Sequence, residues 1–331
     1  MSQASIPQLF SPLSAGEERP ALDHPLPLPL DMLRKSEQEL VSSTLIHRLQ
    51  PLSLRAKVVV EGFLTGLHRS PYHGFSVEFA EHRMYQPGDP FKHLDWKVLG
   101  RTDRHYIKQY QEETNLRATI LLDFSASMAF QSGGEVSKAE YGRTLAAALV
   151  YLLLNQRDAV GLALFDTELR ELLTPRSALT WRNELWAALE RHQPAGETSL
   201  GKVLHQVAER INRRGLVILI SDLLDDPAEI LEGLHHFRHQ GQDVLVFQVL
   251  DPRELDFAFD RESRFEGLES SETIAANPWQ VKEAYREQMT EYLETIKSGC
   301  AQHRVRHHLL TTEHPLEDAL ASLLLQLDNQ K

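Results

Sequence analysis

From Arg117 onward the chain alternates short, continuously apolar runs with longer stretches whose apolar residues recur at helical spacing. The runs ATILLD, AVGLALF, GLVILIS, DVLVFQVL and VRHHLLT read as strands. Between them the spacing predicts helices over 138–156, 178–191, 199–213, 227–239, 279–298 and 315–327. The stretch KAEYGRTLAAALVYLLLNQ is apolar around most of its circumference, which predicts a helix well inside the molecule. Strands without polar alternation are buried on both faces, and helical connections between them call for a parallel arrangement. The expected fold is therefore α/β, a doubly wound and mainly parallel sheet of the Rossmann-like kind, with ELRELLT as an edge strand. Ligands of such sheets bind outside the carboxyl ends of the strands, which directs attention to the loops that leave them.

The first third of the chain lacks this regularity. Residues 1–30 are rich in Pro and Ser and end in PLPLPL, the composition of a flexible or extended tail. From the N-cap residue Asp31, Leu33, Leu40, Leu45 and Leu49 keep helical spacing towards Val60, with Pro51 as an interruption. Residues 62–110 carry glycines, turn signals such as Pro87-Gly88-Asp89, and short alternating runs. The organisation expected is a tail (1–30), an N-terminal helix with an appendage of loops and short strands (31–116), and the α/β domain (117–331).

Composition narrows the function classes. With 42% apolar residues the chain can bury a large core. Its 35 Lys and Arg against 47 Asp and Glu give a net charge of −12, which repels phosphate polymers and argues against a nucleic-acid partner. The single cysteine, Cys300, leaves no internal disulfide and fits a reducing compartment. The N-terminal residues lack a signal-peptide pattern, and the longest apolar run, Leu145 to Leu154, is far short of the ~20 residues that span a bilayer. A cytoplasmic protein without membrane insertion is expected.

Candidate chemistry gathers at strand ends. The first strand runs into Asp123-Phe124-Ser125-Ala126-Ser127, and VILIS runs into Asp222. Thr198 opens the helix over 199–213. Two carboxylates and three hydroxyls are hard oxygen donors that suit Mg²⁺ or Mn²⁺. The two aspartates neutralise such an ion without overbinding it, so modest affinity is expected, and a position is left for an acidic group from a partner. Each piece alone has a plainer explanation, as a turn, a helix cap or a loop start.

Together they resemble a known arrangement. LLDFSASM, GETSL and LISD, in that order, are similar to the metal-ion-dependent adhesion site of von Willebrand factor A domains. The preceding segment resembles the signature of the bacterial domain of unknown function 58 family, with Arg83, Tyr85, Gly88, Asp89, Asp95, Trp96 and Arg101 in the family's pattern. Gly100 and His93 depart from it, and neither is among the proposed ligands. The resemblance covers about residues 50–250. It implies that Asp123, Ser125, Ser127, Thr198 and Asp222 hold the cation for protein binding and not for catalysis. It also implies a setting beside a MoxR-type AAA+ ATPase, with this chain as an adaptor or co-chaperone that engages the ATPase or its client during maturation or remodelling of protein complexes.

Other readings compete with this one. A metal-dependent phosphoester hydrolase using Asp123 and Asp222, with Asp225 nearby, is the enzymatic alternative. Phosphoryl transfer from Asp123 lacks the second carboxylate, because Ser125 stands two residues on. Gly196-Glu-Thr-Ser-Leu-Gly201-Lys202 almost spells a phosphate-binding loop, but Val203 replaces the metal-binding hydroxyl and no strand precedes it. Cys300, His303 and His307 have helical spacing, yet a helix end and a strand should separate them. Lys92, Lys97, Arg101, Arg104 and Lys108, interleaved with Trp96, Tyr106 and Tyr110, read as cations paired with neighbouring acids.

Overall fold

A computed structural model describes residues 10–12, 51–69, 82–84, 106–108, 116–132, 136–196, 199–258, 263–267, 273–276 and 278–328. The chain forms two compact units, one of residues 1–61 with 116–331 and the other of residues 62–115.

The first unit is built on a six-stranded sheet. Its strands are β4 (Arg117–Asp123), β5 (Ala159–Phe165), β6 (Leu169–Arg176), β7 (Leu216–Ser221), β8 (Asp243–Leu250) and β11 (Arg306–Thr311). Their order is β11-β8-β7-β4-β5-β6, all pairs parallel except the antiparallel edge pair β5–β6. Every strand expected from an apolar run is present, and ELRELLT forms the edge as its half-polar pattern requires.

Helices cover both faces because the central strands are apolar on both. They are numbered α1 (Leu52–Arg69), α2 (Lys138–Asn155), α3 (Trp181–Arg191), α4 (Leu200–Arg210), α5 (Pro227–His239), the short α6 (Pro252–Asp256), α7 (Pro278–Gln302) and α8 (Leu316–Asp328). Leu121, Ala163, Phe165, Val217, Leu219, Val244 and Val246 point to one face, and α4, α5 and α7 pack against them. On the other face lies α2, buried at 15 positions and so apolar nearly all round. Gly142 lets this helix approach Leu122 and Ile220 of the sheet; a Cβ there would sit 3.1 Å from the Leu122 side chain. Helices α3 and α8 flank it.

Some elements differ from the sequence expectation. Helix α1 continues beyond Val60 to Arg69, into residues read as appendage; the expected turns over 31–50 lie outside the described residues. Phe10–Pro12 (β1), expected in a flexible tail, pairs antiparallel with Ser263–Gly267 (β9), which pairs in turn with Thr273–Ala276 (β10). That small sheet had no apolar run to announce it. In the second unit, His82–Met84 (β2) and Tyr106–Lys108 (β3) form an antiparallel pair, and most of the signature segment and its basic cluster lie outside the described residues.

Candidate functional site

The strand order fixes where a site can form. From β4 the chain goes by way of α2 to β5 on one side, whereas β7 leads by way of α5 to β8 on the other. The direction of winding therefore reverses between the neighbours β4 and β7, and their carboxyl-end loops part to leave a crevice. Asp123 ends β4 and Asp222 follows β7, so both expected carboxylates lie at this switch point.

The β4 loop is held by its own hydrogen bonds. The Ser125 backbone N–H donates to Asp123 Oδ1 at 2.8 Å, which turns the chain sharply after the strand. Ser125 and Ser127 are then on one side of the turn, with hydroxyl oxygens 3.0 Å apart. Asp123, Ser125 and Asp222 are fully buried, and Ser127 is the most exposed of the four at 8%. Thr198, the fifth expected ligand, lies outside the described residues; the described segment before it, residues 195–196, is bonded to the β4 loop. Ala195 N–H donates to Phe124 O at 2.9 Å, and Ala126 N–H donates to Gly196 O at 3.0 Å.

Three further residues complete the cluster, and sequence reasoning missed them as parts of a site. Ser221 donates its hydroxyl to Asp123 Oδ2 at 2.7 Å and accepts the Leu223 N–H at 3.0 Å, joining the two strand ends. Lys138, the first residue of α2, extends its ammonium to Asp222 Oδ2 at 2.7 Å and to Glu254 Oε1 at 2.5 Å. All three of these charged side chains are fully buried. Glu254 is held in place because its other oxygen accepts the Asp251 N–H, forming a capping box at the start of α6. A lysine in the first turn of a helix opposes the helix dipole; that conflict was the available signal for Lys138. The Asp251-Pro-Arg-Glu254 pattern was the signal for Glu254.

The β7 loop carries strain and an unexpected cap. Leu223, next to Asp222, has φ +56°, left-handed backbone that a branched side chain rarely adopts. Such residues persist where their surroundings over-determine them. Here the Leu223 side chain is buried, its N–H is bound by Ser221, and its carbonyl accepts the Tyr292 hydroxyl. Asp225 accepts the Leu200 N–H at 2.9 Å and so caps α4 across the two loops. Ser199, at the N-cap position, makes no such bond. Both Asp225 oxygens accept backbone N–H groups, which gives it a tethering part in the site.

The cluster sets three buried carboxyl groups, Asp123, Asp222 and Glu254, around one ammonium. Burial pushes the Asp123 carboxyl above its usual range, and the Asp222 charge adds to the push. Burial also raises Glu254, although the Lys138 ammonium pulls it part of the way back. Burial works against the charge of Lys138, but Asp222 and Glu254 outweigh it and raise its pKa. Lys138 is therefore a resident monovalent cation. Three carboxylates against one ammonium leave two negative charges when all are ionised, the deficit that one divalent ion removes. The serine oxygens fit the same ion. Their 3.0 Å separation matches adjacent vertices of an octahedron whose metal–oxygen distances are about 2.1 Å.

The loops are braced from behind. Arg143 of α2 donates to the carbonyls of Leu189 and His192, each at 2.9 Å, and lies 5.3 Å from the centre of the Phe124 ring. Among the described residues, no group of three or more His, Cys, Asp or Glu side chains is placed to hold a metal. Cys300 is buried in the core, the His303 ring lies tilted against His235 and His307 bonds Gln248, so each member of this trio has different neighbours. No helix among the described residues is long and apolar enough to cross a membrane.

A doubly wound sheet with an Asp-x-Ser-x-Ser loop and a second aspartate at its switch point is the arrangement that the resemblance to von Willebrand factor A domains implies. The chain belongs to the family described as protein of unknown function DUF58, whose model matches residues 81–295. Uncharacterized proteins of Mycobacterium bovis and Mycobacterium tuberculosis are 27% identical over 213 residues, 63% of this chain and 66% of theirs. The match thus spans just under two thirds of those relatives. Among solved structures, the chain is similar to BatB from Bacteroides thetaiotaomicron, with 17% identity, TM-score 0.43, and 65% of this chain and 99% of that one covered. It is also similar to the SpRpn10 VWA domain, with 10% identity, TM-score 0.40, and 62% and 94% covered.

Proposed function

We propose that this chain is a non-enzymatic protein-interaction module that engages its partner through a divalent cation, Mg²⁺ or Mn²⁺. Asp123, Ser125, Ser127, Thr198 and Asp222 hold the ion, and Ser221 and Lys138 orient the two aspartates. When bound, the ion supplies a Lewis-acidic attachment point for a carboxylate of the partner. The observation that carries this reading is the cluster at the β4–β7 switch point, three buried carboxyl groups with one ammonium beside two hydroxyl oxygens 3.0 Å apart. The partner proposed is a MoxR-type AAA+ ATPase or its client protein, and the role is that of an adaptor in maturing or remodelling protein complexes. The isolated chain turns over no phosphoester.

The test is capture of partners from native lysate in Mg²⁺ and again in EDTA, alongside a Mn²⁺ titration followed by electron paramagnetic resonance. An AAA+ ATPase recovered only with the metal, and lost with Asp123→Ala or Ser127→Ala, is the expected result. Ser127→Ala removes one hydroxyl at the rim of the cluster, so its circular dichroism spectrum should match the parent's. Identical capture in both buffers, or unchanged Mn²⁺ affinity in both variants, would sink the metal mechanism.

A further inference from the structure

A second cluster lies away from the switch point, where α1, α2 and α3 meet. A cavity of about 280 Å³ is lined there by Ser53, Leu54, Lys57, Tyr151, Arg182 and Trp186. Its walls are aromatic and its charge is positive, on a chain whose net charge is −12.

The arginine is the unusual member. Its guanidinium carbon lies 5.2 Å from the Tyr151 ring centre and 4.9 Å from that of Trp186. The two rings are nearly parallel, 13° apart with centres 6.3 Å from each other. Trp186 is fixed by its indole N–H bond to Ala147 O at 3.2 Å. Arg182 is thus held on a rigid aromatic platform, with little side-chain entropy left to lose on binding. Yet its Nε–H is buried without a hydrogen-bond partner. That nitrogen is closed to solvent, so a ligand meets the guanidinium through its other nitrogens.

Lys57 adds a second cation whose charge is only partly met, by Glu61 at 3.7 Å. An exposed pair of that kind is weak and screened. The net charge facing the cavity is therefore nearer one than two. That matches a carboxylate, planar and singly charged, which a guanidinium edge receives through two parallel N–H bonds. A phosphate monoester, with ~1.5 to 2 negative charges, would be undercompensated. Leu54, 41% exposed at the rim, offers apolar contact to a flanking residue.

We propose that this cavity is a binding site for the carboxylate of an acidic side chain flanked by apolar residues, carried by a partner polypeptide. Arg182 receives the carboxylate, Lys57 adds long-range attraction, and Leu54 meets the apolar neighbour. The site stands apart from the metal cluster and works without a metal.

The test uses the full chain in EDTA, which separates it from the metal reading. A blocked Leu-Glu-Leu tripeptide is titrated while the Arg182 Nε–H and Trp186 indole resonances are followed by NMR. Saturable shifts of both are expected, with binding about tenfold to a hundredfold weaker for Arg182→Gln. Lys57→Gln should weaken it by a smaller factor that vanishes at high salt. A Leu-Gln-Leu peptide that binds as well overturns the proposal, because the charge would then be irrelevant. So does tighter binding of the phosphoserine analogue, which would mark a phosphate site. Absence of any shift up to peptide concentrations of about 10 mM also overturns it.

Discussion

Lys138 occupies a position that local rules disfavour, and the reason lies in what surrounds it. Its ammonium is buried between Asp222 and Glu254, with Asp123 beyond Ser221. Removing one member of a buried ion cluster leaves the others uncompensated, a loss of ~3–5 kcal/mol. Lys138→Met should therefore lower the urea-unfolding free energy by about that amount. Adding Glu254→Gln to it should restore part of the loss, since a neutral amide needs no counter-charge. A Lys138→Met protein as stable as the parent would mean that the ammonium contributes nothing net. The same residue shows where sequence reasoning stops. The places of Asp123, Ser125, Ser127 and Asp222 at the strand ends were legible because each follows closely on an apolar run. Lys138, Ser221 and Glu254 were not, because their roles arise only when β4, β7, α2 and α6 converge.

The elements themselves were read from periodicity, and their packing depends on details that periodicity does not carry. Helices α4 and α5 pack closely because glycines face the contact. A Cβ at Gly233 would meet the Leu204 Cβ at 2.7 Å, and one at Gly201 would meet the Glu229 Cβ at 2.7 Å. Gly233→Ala should destabilise by ~1–2 kcal/mol, since overpacking of about 1–3 kcal/mol exceeds the gain in helix propensity of up to ~1 kcal/mol. Gly62 of α1 is exposed, and a Cβ added there would meet nothing within 4 Å. Gly62→Ala should therefore stabilise, by ~0.5–1 kcal/mol. Thermal melts of the two variants should move in opposite directions; a shift of the same sign in both would contradict the packing described. The strands β4, β5, β7 and β8 were legible because burial on both faces leaves a run of apolar residues. The β1–β9–β10 sheet was not, because SRFEG and TIAA carry neither a long apolar run nor clean alternation.

At the scale of the whole molecule, the sheet edge is joined to the site by hydrogen bonds. His307 of β11 bonds Gln248 Oε1 at 2.9 Å, and Gln248 Nε2 donates to Asp222 O at 2.9 Å. Burial, helped by His308 and Lys297, pushes the His307 imidazole down to about 4. The folded protein thus keeps it neutral where the unfolded chain, with a pKa near ~6.5, takes up a proton. The contribution to stability is fully present above about pH 6.5 and is lost as pH falls towards ~4, below which both states are protonated. Urea midpoints measured across that window should fall, and less steeply in His307→Gln. An equal slope in both proteins would show that His307 plays no part in it.

The two backbone bonds that join Phe124 and Ala126 to Ala195 and Gly196 have a consequence for occupancy. They act as an extra pair of rungs beyond the end of the ladder, tying the segment with both serines to the segment that leads to Thr198. Neither strip of chain can shift without dragging the other. Under the proposed metal reading, an ion that ordered the serine loop would therefore order residues 195–196 with it, and its arrival would be felt in both at once.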